Sequence, residues 1–330
     1  MKSLKFVLLA GLIIITVLVA GCAQIATLPI ETSTQVQVIN TATPTVSIVT
    51  SPNLTHTPLP TGTPTPVPTL PVEQANTKFL ELLSDNGGCR LPCLWGITLG
   101  KSTYQEAQAI LYPLSGISGL LAGFLPEGGA IFPNYAEENL KLSANVGFNV
   151  KNLTGNQMVS RINFEARGMQ TDGLLVYDSV LFTEWLRAYT LPTVLSEQGI
   201  PAAVMVSTDS GIGRGKHVPG FYVVLLYPDQ GILVIYTTSR QLVDGNVRGC
   251  LASAHVQMYL SPAGQPDAFT EMLAQTHQWG FLWPDPKDGL WWKSLETATG
   301  MTLQEFYDEF HQPKDKCLET PLNLWPTPDN

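Results

Sequence analysis

The side chains best suited to chemistry are five histidines, five cysteines and a run of tryptophans. The histidines are His56, His217, His255, His277 and His311. No two of them have the His-Glu-x-x-His spacing that puts two imidazoles on one face of a helix with a carboxylate between them. There is no Gly-x-Ser-x-Gly elbow and no Ser-x-x-Lys of the penicillin-binding type. Gly211-Ile-Gly-Arg-Gly-Lys216 has the glycines of a phosphate cradle. It lacks the four-residue gap and the hydroxyl after the lysine, and no helical pattern follows it, so it reads as a hairpin loop. Asp209, Ser210 and His217 lie in the same loop, and closeness in sequence does not make them a triad. Glu305, Asp308 and Glu309 share a face of one helical segment, the ordinary place for solvated charge. No catalytic residue, metal ligand set or cofactor motif is assigned, and the chain reads as a non-catalytic binding or envelope-assembly module sooner than an enzyme, with a cell-wall or carbohydrate-binding module using a Trp-rich C-terminal cluster as one alternative and an extracytoplasmic hydrolase as another.

Cys22 is different. Lys2 and Lys5 precede an apolar run from Phe6 to Ala20, interrupted only by Gly11 and Thr16. That run is too short for a spanning helix and suits the core of a secretory signal over residues 1–21. It ends in Leu18-Val19-Ala20-Gly21-Cys22, which resembles the lipobox of bacterial lipoproteins. The resemblance implies that the signal is cut before Cys22, that its sulfur carries a diacylglyceryl group, and that a membrane is held through two or three acyl chains, on the extracytoplasmic side. The competing reading is an uncleaved apolar anchor with the same topology, since the two lysines favour a cytoplasmic start.

With Cys22 set aside, Cys89, Cys93, Cys250 and Cys317 remain, an even number suited to disulfides in an oxidising compartment. Three pairings exist, and Cys89–Cys93 with Cys250–Cys317 is preferred: the first closes a tight loop through Pro92, the second clamps the C-terminal tail to a strand. A zinc site would need a second close cysteine pair, which is missing.

Residues 22–72 read as a lipid anchor and disordered linker. Between residues 31 and 72, 23 of 42 positions are Thr, Pro or Ser, with Thr-Pro steps at residues 43, 57, 63 and 65. Such a segment cannot bury enough apolar surface to offset the entropy of ordering, and its prolines favour extended geometry. It would reach roughly 130 Å fully extended. His56 falls within it. Of 18 basic and 27 acidic residues, Lys2 and Lys5 precede Cys22 and Glu31 follows it, leaving 16 and 26 from residue 73 on, a net of −10. That argues against nucleic acid, whose recognition needs a basic face, and against electrostatic adhesion to anionic lipid.

From residue 73 the pattern is α+β: antiparallel strands with packed helices, in two successive helix-plus-meander stretches (73–168 and 169–262) and a helical tail (263–330). Helices are expected at Asn76–Ser84, after the capping-box spacings Thr103/Glu106 and Ser102/Gln105, at Val180–Tyr189, Thr193–Gln198, Asp267–His277, Leu290–Thr299 and, after Thr302/Glu305, at Leu303–Phe310. Strands are expected at Met158–Phe164, Ala203–Ser207 and His255–Leu260, and a hairpin joins Phe221–Tyr227 to Ile232–Thr238 through Pro228-Asp-Gln-Gly231. Trp95-Gly-Ile97…Gly100-Lys-Ser-Thr103…Glu106-Ala107…Leu111 resembles the first helix of small outer-membrane assembly lipoproteins and of the β-lactamase inhibitor protein, and tethered lipoproteins opening on a Cys-x-x-x-Cys-Trp-Gly-like segment; these imply helices against an antiparallel sheet. Trp279, Trp283, Trp291 and Trp292 crowd a short stretch with Phe281. Exposed, they would stack on sugar rings or meet a partner; buried, they pack the tail on the sheet. The partners expected are the membrane, and an envelope protein or a cell-wall glycan.

Overall fold

A computed structural model describes residues 68–118, 123–137, 139–153, 155–170, 175–176, 180–208, 220–278, 292–313 and 316–325. The signal, Cys22 and the linker up to residue 67 lie outside the described residues, as do residues 209–219, 279–291 and 326–330.

The fold is α+β. Helix α1 (Val72–Asp85) buries Ala75, Phe79, Leu82 and Leu83, a stripe at helical spacing. It stops at Asn86, whose φ of 57° places it in the left-handed region used to close helices. Helix α2 (Tyr104–Leu111) opens on a true capping box: Thr103 Oγ1 accepts from the Glu106 amide and the Glu106 carboxylate accepts from the Thr103 amide. The alternative box at Ser102 is not made, because the Ser102 hydroxyl accepts from the Thr98 amide. The first meander follows: β1 (Gly123–Leu125), β2 (Gly128–Ile131), β3 (Asn134–Glu137), β4 (Leu140–Leu153) and β5 (Asn156–Gln170). Helices α3 (Val180–Trp185) and α4 (Leu191–Gln198) lead into the second: β6 (Ala203–Thr208), β7 (Gly220–Tyr227), β8 (Ile232–Val243), β9 (Asn246–Cys250) and β10 (His255–Leu260). The tail holds α5 (Pro266–Gln278), β11 (Trp292–Ser294), α6 (Leu295–Thr299), α7 (Leu303–Phe310) and β12 (Cys317–Pro321).

Both meanders lie in one antiparallel sheet of order β1-β2-β4-β5-β10-β8-β7-β6-β11. They join where β5 meets β10, Phe164 opposite Met258. One face, carrying Val146, Phe164, Met258, Val234 and Leu225, meets α1–α4, α6 and α7 in the main core. On the other face, Val224, Leu226, Leu233, Ile235 and Tyr259 meet Phe269 and Met272 of α5. Three layers therefore stack over β6, β7, β8 and β10.

Both preferred cysteine pairs are bonded, Cys89 to Cys93 and Cys250 to Cys317. The second joins residues directly opposite each other on β9 and β12, and Arg248 donates to Glu319 across the same ladder at 2.7 Å.

The helix expected over Leu290–Thr299 needs correction. Residues 292–294 form an edge strand, Lys293 opposite Val206, and the helix begins only at Leu295, where the Ser294 hydroxyl caps the Thr297 amide. An open sheet edge outcompetes local helical spacing here.

Candidate functional site

Strict alternation builds the site. Lys141, Ser143 and Asn145 of β4 face away from the core while Leu142, Ala144 and Val146 face into it. On β5, Asn163, Glu165 and Arg167 alternate with Ile162, Phe164 and Ala166 in the same way. Helix α5 packs over the other half of this outward face, so the β3–β4–β5 half keeps a polar hollow of about 290 Å3. Its lining includes Phe132, Asn134, Lys141, Asn145, Glu165 and Arg167.

The register sets these groups in rows. Asn134, Ser143 and Arg167 run across β3, β4 and β5; Asn145, Glu165 and Gln257 run across β4, β5 and β10. Lys141 sits opposite Met169, diagonal to Arg167, within reach of a shared ligand. Asn163 seats its amide over Gly147, where any side chain would collide with it.

Among the described residues, much of the hydrogen-bonding capacity here is unspent. Arg167 Nε lies 3.5 Å from Glu165, leaving the rest of the guanidinium fork open. Asn134 donates to the Phe132 carbonyl, leaving its own amide oxygen free to accept. Lys141 is half-buried and has no hydrogen-bond or ion-pair partner among the described residues. The hollow thus offers two cations, one carboxylate and amides, with Phe132 also in its lining. It can bind. Ser143 has no histidine beside it in the lining, and a single carboxylate is half of what glycoside hydrolysis uses.

A fully satisfied buried polar cluster lies elsewhere. Asn86 donates to the Cys89 and Cys93 carbonyls at 2.7 and 2.9 Å, and its Oδ1 accepts from the Trp95 amide and the Tyr189 hydroxyl at 3.1 and 3.0 Å. All four positions of its amide are used. Trp95 Nε1 donates to the Tyr189 hydroxyl, and Tyr236 donates to the Tyr189 carbonyl. Burial pushes the Tyr189 phenol well above its ordinary range. This cluster holds the Cys89–Cys93 loop onto α1 and is structural.

His255, at the start of β10, is buried, with Nε2 2.9 Å from the Val176 carbonyl and 3.2 Å from the Gly168 amide. Burial, with the Arg167 charge adding to it, pulls its pKa down to about 4, so it is neutral near pH 7. His311 lies against the Tyr307 ring and carbonyl. His56, Asp209, Ser210, the Gly211–Lys216 loop and His217 lie outside the described residues. So do Trp279, Trp283 and Trp291. Trp292 is half-buried on β11, its ring 6.3 Å from Tyr222, against the apolar cluster beneath α5. Glu305 caps α7, and Asp308 and Glu309 accept from Gln304 and Lys316.

Among the described residues, no three His, Cys, Asp or Glu side chains are grouped to hold a metal ion, and no helix is long and apolar enough to cross a membrane. No motif in the amino-acid sequence singles out the residues of the hollow. Their signal was there, in Leu140-Lys-Leu-Ser-Ala-Asn-Val146, whose period of two marks a half-buried strand. Comparison with family models, curated proteins and solved structures returns no match for this chain.

Proposed function

We propose that this chain is a lipid-anchored, extracytoplasmic binding protein: Cys22 fixes it to a membrane, the residues from Cys22 up to residue 67 form a tether, and the folded region presents a ligand-binding face. The observation that carries the reading is the cysteine balance. Four of five cysteines are bonded in two disulfides, bonds that persist in oxidising compartments. The sulfur left over belongs to Cys22, which ends an apolar run in Leu-Val-Ala-Gly-Cys. Two or three acyl chains on one residue hold a protein stably where a single chain does not. For the folded region, the open polar half of the sheet, its charged groups unspent, supports binding over turnover.

The test is metabolic labelling with radioactive palmitate. The native chain should take up label and sediment with membranes; Cys22→Ser should take up none. Equal labelling of both, or an unlabelled native chain released whole into the medium, overturns the anchor.

A further inference from the structure

Resting on that binding reading, we propose that the hollow between β3, β4 and β5 recognises an acidic saccharide, a sugar ring bearing a carboxylate. Lys141 and Arg167 supply two positive charges on one face of a region that is otherwise net negative, and neither is neutralised by more than the single Glu165 contact. A guanidinium fork beside an ammonium matches the two oxygens of a carboxylate.

The rest of the lining selects among anions. Glu165 in the lining disfavours a doubly charged phosphate more than a singly charged carboxylate. A ring hydroxyl gives one hydrogen and takes another, and here Asn134 Oδ1 and Glu165 accept while the Asn145 amide does both. Phe132 also lines the hollow, where an aromatic ring suits the C–H face of a sugar. The volume, about 290 Å3, sits at the small end of ligand sites and suits one residue of a longer glycan.

The experiment titrates the full chain in detergent with D-glucuronate, D-glucose and inorganic phosphate by calorimetry. Glucuronate should bind saturably, at least about tenfold tighter than glucose or phosphate. Lys141→Met should weaken glucuronate about tenfold and leave the melting temperature and glucose binding unchanged. Lys101→Met, an exposed change outside the hollow, should alter nothing. Equal affinity for glucuronate and glucose, tighter binding of phosphate, no saturable glucuronate binding, or indifference to Lys141→Met each overturns the site. Palmitate labelling of the same preparation separates the two proposals: labelled protein that ignores glucuronate defeats this site alone, and unlabelled protein that binds it defeats the anchor alone.

Discussion

Removing the Cys250–Cys317 bond should cost much more stability than removing Cys89–Cys93. In the chain-entropy account a crosslink stabilises by restricting the unfolded chain, and the effect grows with the logarithm of the loop it closes. The two loops span 67 and 4 residues. The longer is worth about 4 kcal/mol and the shorter about 2 kcal/mol on that relation. Native contacts do not reverse the order. Strand β12 keeps its ladder to β9 without the bond, with Leu318 and Thr320 buried, while the Cys89–Cys93 loop stays pinned by Asn86. Both losses should therefore appear mainly as unfolded-state effects. The assay is thermal and urea unfolding of the native chain, Cys250→Ala with Cys317→Ala, and Cys89→Ala with Cys93→Ala, all without reductant. At roughly 2–4 °C per kcal/mol for a region of this size, the first pair should lower Tm by about 8–16 °C and the second by about half as much. Equal losses, or a larger loss for the short loop, would refute the entropic reasoning and point to strain or native contacts instead.

His255 predicts an acid-sensitive step. Its pKa falls to about 4 in the folded chain, through burial, against about 6.5 unfolded. Its contribution to stability is complete above pH 6.5 and is lost as pH falls toward 4, a total of about 3 kcal/mol. Urea unfolding at pH 7 and pH 4 should show a smaller pH-dependent loss for His255→Gln than for the native chain; parallel losses would refute the assignment. Tyr189→Phe should cost about 1–3 kcal/mol by leaving Trp95 Nε1 and Asn86 Oδ1 short of a buried partner. Tyr236→Phe should cost less, since it strips one bond from a carbonyl; urea unfolding of both variants ranks them.

Much of the fold is legible where local chemistry and long-range packing agree. Pro228-Asp-Gln-Gly231 presets its own turn, Gly231 taking a φ of 70°, so the β7–β8 hairpin follows from its own residues. Thr103 and Thr302 cap helices because hydroxyl and glutamate stand three apart. Trp292-Lys-Ser294 is the counterexample: its spacing is helical, yet the unpaired edge of β6 sets its state. Strands β1–β3, β9 and β12 are short or glycine-bearing, too brief for a period of two to stand out. The hollow escaped for another reason. Lys141, Glu165 and Arg167 are ordinary surface residues on two strands, and only the β4–β5 register makes them neighbours.

By itself, then, the amino-acid sequence determined the lipobox-like ending at Cys22, the even count of remaining cysteines, the acidic balance and the α+β class, because each depends on composition or on residues close along the chain. Tertiary structure alone decided that two meanders share one sheet through β5 and β10, that β12 returns to β9 so Cys317 meets Cys250, and that α5 packs over one half of the outward face. Those outcomes turn on strand pairings between distant segments, whose energy lies in cross-strand contact and shared burial and leaves no local trace.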